Sequence, residues 1–403
     1  MRIEKSNLLN DGKRFNDGRS IDLIQIEDEN DFDSLLENII NSGYYDSSYF
    51  DSHIDYQEGM VKFDSFHLSS IIKFLKPNSV LELGCGRGDV LFLLSLSIRG
   101  NVRGIDSSQE VLKRVWPLLT NKVDFGDVFD VCKKYHTQKT TFDTFCAFDF
   151  WEHLHPKKLH DYIDSIVALA EEDALFFFNI PAFGEDRVFG EIFPLELEEN
   201  REKFEQRLPF AYLHAESIVP PIPASGHLIW SHTEWWQKQF EDHGLVRSEE
   251  LERNIHHYFD EHLFYARKSF YVFYRDSQKA HHRVKRLLRN GLTLYNKWKL
   301  LVEQQEFIQR FEKGKGRSFI DLGELKSTIN HVEYYMVLDM EKRIGRLTKV
   351  FSWPKKIGAL LKPLLLLLDR GVQLIWLNGD STSGHLEKRY KIKELLEVTH
   401  NKR

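Results

Sequence analysis

Val80-Leu-Glu-Leu-Gly-Cys-Gly-Arg-Gly-Asp-Val90 is an apolar run of strand length, three glycines at alternate positions, and the first residues of a helical pattern. Glycines at 84, 86 and 88 let the backbone turn sharply and approach a ligand with no Cβ in the way. In a doubly wound sheet, the first strand-to-helix turn is where nucleotide-like ligands bind, at the carboxyl ends of the strands. The spacing then discriminates among such ligands. A dinucleotide loop reads Gly-x-Gly-x-x-Gly and a phosphate loop ends in Gly-Lys-Ser/Thr, whereas this loop reads Glu-x-Gly-x-Gly-x-Gly, which disfavours a phosphate carrier.

Outward from the loop, apolar runs predict strands at Val80–Leu83, Val102–Ile105, Val123–Phe125, Phe142–Phe148, Leu175–Ile180, Leu245–Glu249 and Ser269–Tyr274. Helical patterns cover Leu68–Leu75, Asp89–Ser97, Gln109–Leu119, Lys157–Ala170 and Thr233–Asp242. Strands alternating with helices read as a mainly parallel, doubly wound α/β sheet, here of seven strands. Residues 182–232 are too long for an ordinary connection and are rich in aromatics and prolines, so we read them as an inserted cap. Residues 1–59 read as an extension with one amphipathic stretch from Phe32 to Ile40, and residues 278–403 as a mainly helical C-terminal module after a core domain at 60–277.

Charge separates that module from the rest. The 403-residue chain carries 55 Lys plus Arg against 61 Asp plus Glu, but residues 278–403 hold 26 of the bases and 13 of the acids. The body is acidic and the tail basic, which suits a tail that meets an anionic partner, a membrane surface or the protein's own body. The most apolar window, Ile357–Leu377, is interrupted by Lys362, Asp369 and Arg370 and falls short of the ~18 uncharged residues of a spanning helix. Cys85, Cys132 and Cys146 lack disulfide or zinc spacing, and the N-terminus lacks a signal-peptide core, so a reducing, cytoplasmic location is expected, with the tail peripheral at the inner face of the membrane.

Over about residues 60–275 the chain resembles the class I S-adenosylmethionine-dependent methyltransferases, whose first motif has the Glu/Asp-x-Gly-x-Gly-x-Gly form. Val102-Arg-Gly-Ile-Asp106 is similar to their second strand, Phe125-Gly-Asp127 to the end of the third, Phe142 through Leu154 to the fourth with its Glu-His-Leu signature, and Asn179-Ile-Pro181 to the end of the fifth. The resemblance implies S-adenosylmethionine as cofactor, with Glu82, Gly84, Cys85, Gly86, Gly88, Asp106, Ser107, Asp127 and Asp149 around it. Asp106 is expected to accept from both ribose hydroxyls and Asp127 from the adenine amino group.

Methyl transfer needs alignment, exclusion of water, and a base if the acceptor is a hydroxyl. Glu152, His153 and His227 are the candidate catalytic residues, with His153 first because an imidazole titrates near neutrality. The Asp149-x-x-Glu152-His153 spacing also resembles a divalent-cation site of some ubiquinone-pathway O-methyltransferases, but a metal is not the favoured reading and no metal ligand is assigned. Pro181–Pro194 and Gly226-His-Leu resemble methyltransferases found among surface-polysaccharide genes, which implies O-methylation of a glycan or other small polar acceptor. Two alternatives stay open: a nucleic-acid methyltransferase, disfavoured by the acidic body, and a non-catalytic methyltransferase fold that binds partners through 278–403.

Overall fold

Phe176, Phe177 and Phe178 follow one another along a single strand and all three are fully buried, which requires packing on both faces of the sheet that holds them. The computed structural model describes residues 1–6, 21–45, 60–98, 100–182, 200–260, 263, 265–289 and 319–321. The chain divides into two units, Met1–Val332 and Glu333–Arg403, and every described residue lies in the first.

In chain order the strands are β1 (Arg2–Ser6), β2 (Ile21–Gln25), β3 (Met60–Lys62), β4 (Val80–Leu83), β5 (Val102–Asp106), β6 (Val123–Phe125), β7 (Phe142–Phe148), β8 (Ala170–Asn179), β9 (Tyr212–Ile218), β10 (Pro221–Pro223), β11 (Leu245–Arg247), β12 (Phe270–Arg275) and β13 (Phe319–Asp321). The α-helices are α1 (Asn30–Asn41), α2 (Phe63–Phe74), α3 (Asp89–Ser95), α4 (Gln109–Leu112), α5 (Val128–Thr137), α6 (Leu159–Val167), α7 (Arg201–Glu205), α8 (Thr233–Glu241) and α9 (Glu249–Phe259), followed by a helical segment over 278–289.

The central sheet has the order β11-β12-β8-β7-β4-β5-β6. β4 pairs in parallel with β5 on one side and β7 on the other, and β8 and β6 extend the parallel run. β12 and β11 close one edge antiparallel. This is the mainly parallel seven-stranded, Rossmann-like sheet expected from the sequence. The strand order reverses at β4, so the crevice past its carboxyl end, where the glycine loop begins, is the switch point at which such sheets take ligands.

Successive strand residues point to opposite faces, and the core divides accordingly. Phe145, Phe176, Phe178 and Phe273 pack with α5, α6 and α8, while Leu175, Phe177, Phe270 and Val272 pack with α2, α3, α9 and the segment over 278–289. Each fully buried phenylalanine contributes about 1.5–3 kcal/mol of transfer free energy. The segment over 278–289 is anchored by Arg283, 3% exposed, which donates to the carbonyls of Asp143 (2.8 Å) and Asp173 (3.0 Å) and to Thr144 Oγ1 (3.1 Å). At least one base of the basic tail therefore belongs to the core of the body.

Several elements differ from their expected bounds. The pattern at Gln109–Leu119 breaks into α4 and a 3₁₀ turn, Pro117–Leu119, because proline cannot continue a helix and forces Trp116 extended. β8 starts at Ala170, earlier than expected, and α6 is correspondingly shorter. Helices α5 and α9 were not expected. β1 and β2 join β9 and β10 in a separate antiparallel sheet of order β1-β2-β9-β10, which ties the N-terminal segment to the part of the cap region that is described. The rest of the cap, 183–199, and nearly all of the basic tail beyond 289 lie outside the described residues.

Candidate active site

At the carboxyl end of β4 the backbone enters the left-handed region at Gly84 (φ +61°), Gly86 (+54°) and Gly88 (+82°). The surroundings of two of them differ. A Cβ on Gly84 would lie 2.9 Å from the ring of Phe150, so the loop presses on the segment after β7, whereas a Cβ on Gly86 would meet nothing within 4 Å. The peptide at Gly86 thus faces open space, and the same residue is held from behind: its amide donates to Asp106 Oδ2 at 2.9 Å. The other oxygen of Asp106 accepts from Ser108 N at 2.9 Å. Burial pushes the Asp106 carboxyl above its ordinary pKa and these two amides pull it back. Each oxygen keeps a further lone pair for a hydroxyl.

Glu82 is 3% exposed and its Oε2 has no hydrogen-bond partner among the described residues. Burial, then the neighbouring Asp89 and Asp106, push its carboxyl well above the usual carboxylate range. Cys85 is buried, and its sulfur lies 2.6 Å from where a Cβ on Gly104 would stand, so the thiol packs against β5. Burial pushes that thiol well above its ordinary pKa. Ser107 is exposed beside Asp106. Asp127 is the exposed N-cap of α5; one oxygen accepts from Phe129 N at 2.9 Å and the other from the Tyr162 hydroxyl.

Past β7 the chain turns at Asp149 (φ +50°) into a 3₁₀ turn, Trp151–His153. Arg267 takes Asp149 in an ion pair and also bonds Asp64 and, at 2.8 Å, Asn179 Oδ1. The sequence grouped Asp149 with Glu152 and His153; in the fold, the residue brought to those two is His227. One ligand atom from each of Glu152, His153 and His227 lies within 4.8 Å of the others. Nε2 of His153 and Nε2 of His227 each stand 3.9 Å from Glu152 Oε1, and the two rings are 4.7 Å apart at 83°.

Glu152 is fully buried, and neither carboxyl oxygen has a hydrogen-bond partner among the described residues. Burial, then Asp149, push it well above the usual range. Its carbonyl accepts from Leu228 N (2.8 Å) and Ile229 N (3.0 Å), which clamps the returning cap segment to the turn after β7 and so places His227. Nδ1 of His153 lies 3.2 Å from the Gly226 carbonyl and 3.0 Å from the Tyr45 hydroxyl. Burial lowers the pKa of His153, partly offset by Asp149 and the Gly226 carbonyl, and lowers that of His227 well below the usual imidazole value.

Tyr45 and Arg267 carry no local sequence signal and were missed. Gly226 is a signal in hindsight: at φ +68°, a Cβ there would lie 2.3 Å from the Tyr45 hydroxyl. Of the other residues near the return, His232 caps α8 through Glu234 N at 3.1 Å, Trp236 is fully buried in the core, and Trp230 packs 4.7 Å from His227.

Residues 65–256 match the family model described as a methyltransferase domain. A search of the curated proteins found no match. Among solved structures, the chain is similar to an O-methyltransferase family protein from Burkholderia thailandensis (12% identity, 52% of this chain and 55% of that one, TM-score 0.34). It is also similar to the 1,6-didemethyltoxoflavin-N1-methyltransferase of Burkholderia thailandensis, solved with S-adenosylhomocysteine (14%, 65% and 96%, TM-score 0.36). A third is a methyltransferase from Archaeoglobus fulgidus (17%, 52% and 91%, TM-score 0.33). The chain thus spans about half the length of the first of these. The open peptide at Gly86, the spare lone pairs of Asp106 and the orphaned buried oxygen of Glu82 fit a nucleoside that carries a cationic arm. Residues 65–256 of this chain, just under half of it, are thus similar to a methyltransferase domain.

Proposed function

We propose that this domain methylates a hydroxyl oxygen of a small polar acceptor, a glycan first among them, and that the hydroxyl is activated at the Glu152–His153–His227 cluster. The observation that carries the reading is the placement of the His153 ring, with Nδ1 3.2 Å from the Gly226 carbonyl and Nε2 toward Glu152. A carbonyl only accepts, so a proton on Nδ1 satisfies that contact and leaves the Nε2 lone pair facing Glu152 and His227. Burial lowers the pKa of that imidazole, which favours the neutral form a base needs.

Bound S-adenosylmethionine supplies a methyl carbon already activated by its sulfonium charge. Asp106 holds the ribose hydroxyls, and the Gly84–Gly88 loop lets the cofactor approach the backbone. Glu82, Cys85, Ser107, Asp127 and Asp149 line the same end, Asp127 and Asp149 acting through the Tyr162 and Arg267 contacts that fix them. The acceptor hydroxyl would give its proton to Nε2 of His153 as its oxygen bonds to the methyl carbon and the carbon–sulfur bond breaks, leaving S-adenosylhomocysteine.

The core at 60–277, with its cap at about 182–232, is followed by the basic module at 278–403, whose first stretch, 278–289, packs on the core and whose remainder brings the enzyme to an anionic surface or partner on the cytoplasmic side. Among the described residues no helix is long and apolar enough to cross a membrane. The test is incubation of the full chain with labelled S-adenosylmethionine and fractionated polysaccharide, lipid, RNA and small molecules. Label in the polysaccharide or small-molecule fraction is expected. Label confined to RNA would transfer the reading to nucleic acid, and no label in any fraction, with S-adenosylhomocysteine still bound, would favour a non-catalytic binding module.

A further inference from the structure

We propose that Glu152, His153 and His227 hold a divalent cation of the borderline class, such as Mn²⁺, Fe²⁺, Co²⁺ or Zn²⁺. The proposal rests on the reading of this cluster as the acceptor end of the methyltransferase domain and adds what activates the acceptor there.

Four observations point to the same atom. First, the donor set is one carboxylate and two imidazoles, which suits borderline divalent ions and leaves coordination positions open on one side. Second, the spacing is near that of a loaded site. A metal with bonds of about 2.1 Å sets its ligand atoms about 3 to 3.5 Å apart, and both imidazole nitrogens already stand 3.9 Å from Glu152 Oε1. Third, Glu152 is 0% exposed and neither of its oxygens makes a hydrogen bond of normal geometry among the described residues. A buried carboxyl without a donor is costly, and a cation satisfies it while using the neutral imidazoles as they are. Fourth, His153 is oriented as metal-bound histidines are: the distal nitrogen, Nδ1, lies 3.2 Å from the Gly226 carbonyl, to which an N–H there can donate, and Nε2 is the nitrogen toward Glu152.

The third ligand is what spacing along the chain did not indicate. Asp149, the nearest acid upstream, is taken by Arg267, and His227 comes instead from the segment that Leu228 N and Ile229 N clamp to the Glu152 carbonyl. The site exists only when the cap return is docked. Its open positions would take oxygen ligands, the acceptor hydroxyl among them. A hydroxyl bound to such a cation ionises far more readily than a free one. Its proton would leave to solvent, the oxygen would form a bond to the methyl carbon, and the carbon–sulfur bond would break with its electron pair on sulfur, releasing S-adenosylhomocysteine. With the cation bound, Nε2 of His153 is a ligand and no longer the base.

The experiment uses the full chain, stripped with chelator and titrated with Co²⁺, read by calorimetry and by visible absorption. One equivalent is expected, with d–d bands typical of mixed nitrogen and oxygen ligation. Glu152→Gln and His227→Gln should each weaken that equivalent at least tenfold. The surface pair His160 and His243, 2.7 Å apart, is the natural adventitious site, so His243→Gln serves as the control and should leave the equivalent unchanged. Loss in His243→Gln with retention in Glu152→Gln, or no binding to the wild-type chain at all, overturns the proposal. S-adenosylhomocysteine titration of the same samples keeps two failures apart. If it binds and Co²⁺ does not, the cation proposal falls and the methyltransferase reading stands. If the wild-type chain fails to bind it, the methyltransferase reading falls whatever Co²⁺ does.

Discussion

The cofactor end and the acceptor end of the cleft are built from different kinds of sequence. The glycine loop and Asp106, the heart of the proposed cofactor end, lie between Glu82 and Ser108, on two neighbouring parallel strands and the turns that follow them. The acceptor end takes Glu152 and His153 from one turn, His227 from the cap return, and Tyr45 from the N-terminal segment, 108 residues before the histidine it touches. The two meet where Gly84 presses on Phe150. On the proposed reading, the difference teaches that a local turn holds the cofactor, while the acceptor end is assembled from parts remote from one another in the chain.

The sharpest way to break that comparison is to change the acceptor end and ask whether the cofactor end notices. His153→Gln removes the Nε2 lone pair whether it serves as base or as ligand, so methyl transfer should fall by about 10²- to 10⁴-fold. Affinity for S-adenosylhomocysteine should stay within about twofold. Single-turnover transfer and calorimetry on the same protein check this, and a parallel loss of both would mean the two ends are one site.

The converse variant is Asp106→Ala. It deletes the carboxylate that holds Gly86 N and Ser108 N, and with it the proposed ribose contact. A hydrogen bond to a charged group contributes about 1.5–3 kcal/mol, or ~10- to 150-fold in affinity. Calorimetry with S-adenosylhomocysteine reads it directly; unchanged affinity would remove Asp106 from the cofactor site.

The same contrast explains what was legible in the sequence. The glycine loop, Asp106 and the run of central strands announce themselves because each depends on neighbours a few residues away, and the buried strands read as continuous apolar runs. Tyr45 and Arg267 do not, since their partners are remote in the chain. The pairing of Ile24 with Leu213 and of Leu23 with His214 likewise follows no periodicity that either segment shows alone. Asp149 illustrates the error this produces: its spacing from Glu152 suggests a shared ligand set, but Arg267 arrives from beyond α9 and claims it.

A gentler change sharpens the acceptor side. Tyr45→Phe removes one hydroxyl, 3.0 Å from His153 Nδ1, while Gly226 keeps its own contact with that nitrogen. The loss should be about 1 kcal/mol, a several-fold drop in transfer rate, with no change in cofactor affinity. If Tyr45→Phe is silent in transfer, the N-terminal segment only packs against the site.

The smallest expected effect lies at the sheet edge beyond the cofactor end, where Asp124 on β6 meets the Tyr135 hydroxyl, Lys134 at 2.9 Å and Arg103 at 3.6 Å. Burial acts to raise its pKa, but Tyr135, Lys134 and Arg103 outweigh that and hold it below its ordinary value of 3.8. A depressed carboxylate stabilises the fold above the unfolded pKa, and that contribution is lost as pH falls through the folded value. The partners are partly in solvent, so the whole term is about 0.5–1 kcal/mol. Tyr135→Phe should therefore lower stability slightly at neutral pH and flatten the acid limb of the stability curve below about pH 4, followed by denaturant unfolding at several pH values. Cofactor affinity at neutral pH should not move. A shift there would show that the edge strand, and not the glycine loop with Asp106 alone, sets the geometry of the cofactor end.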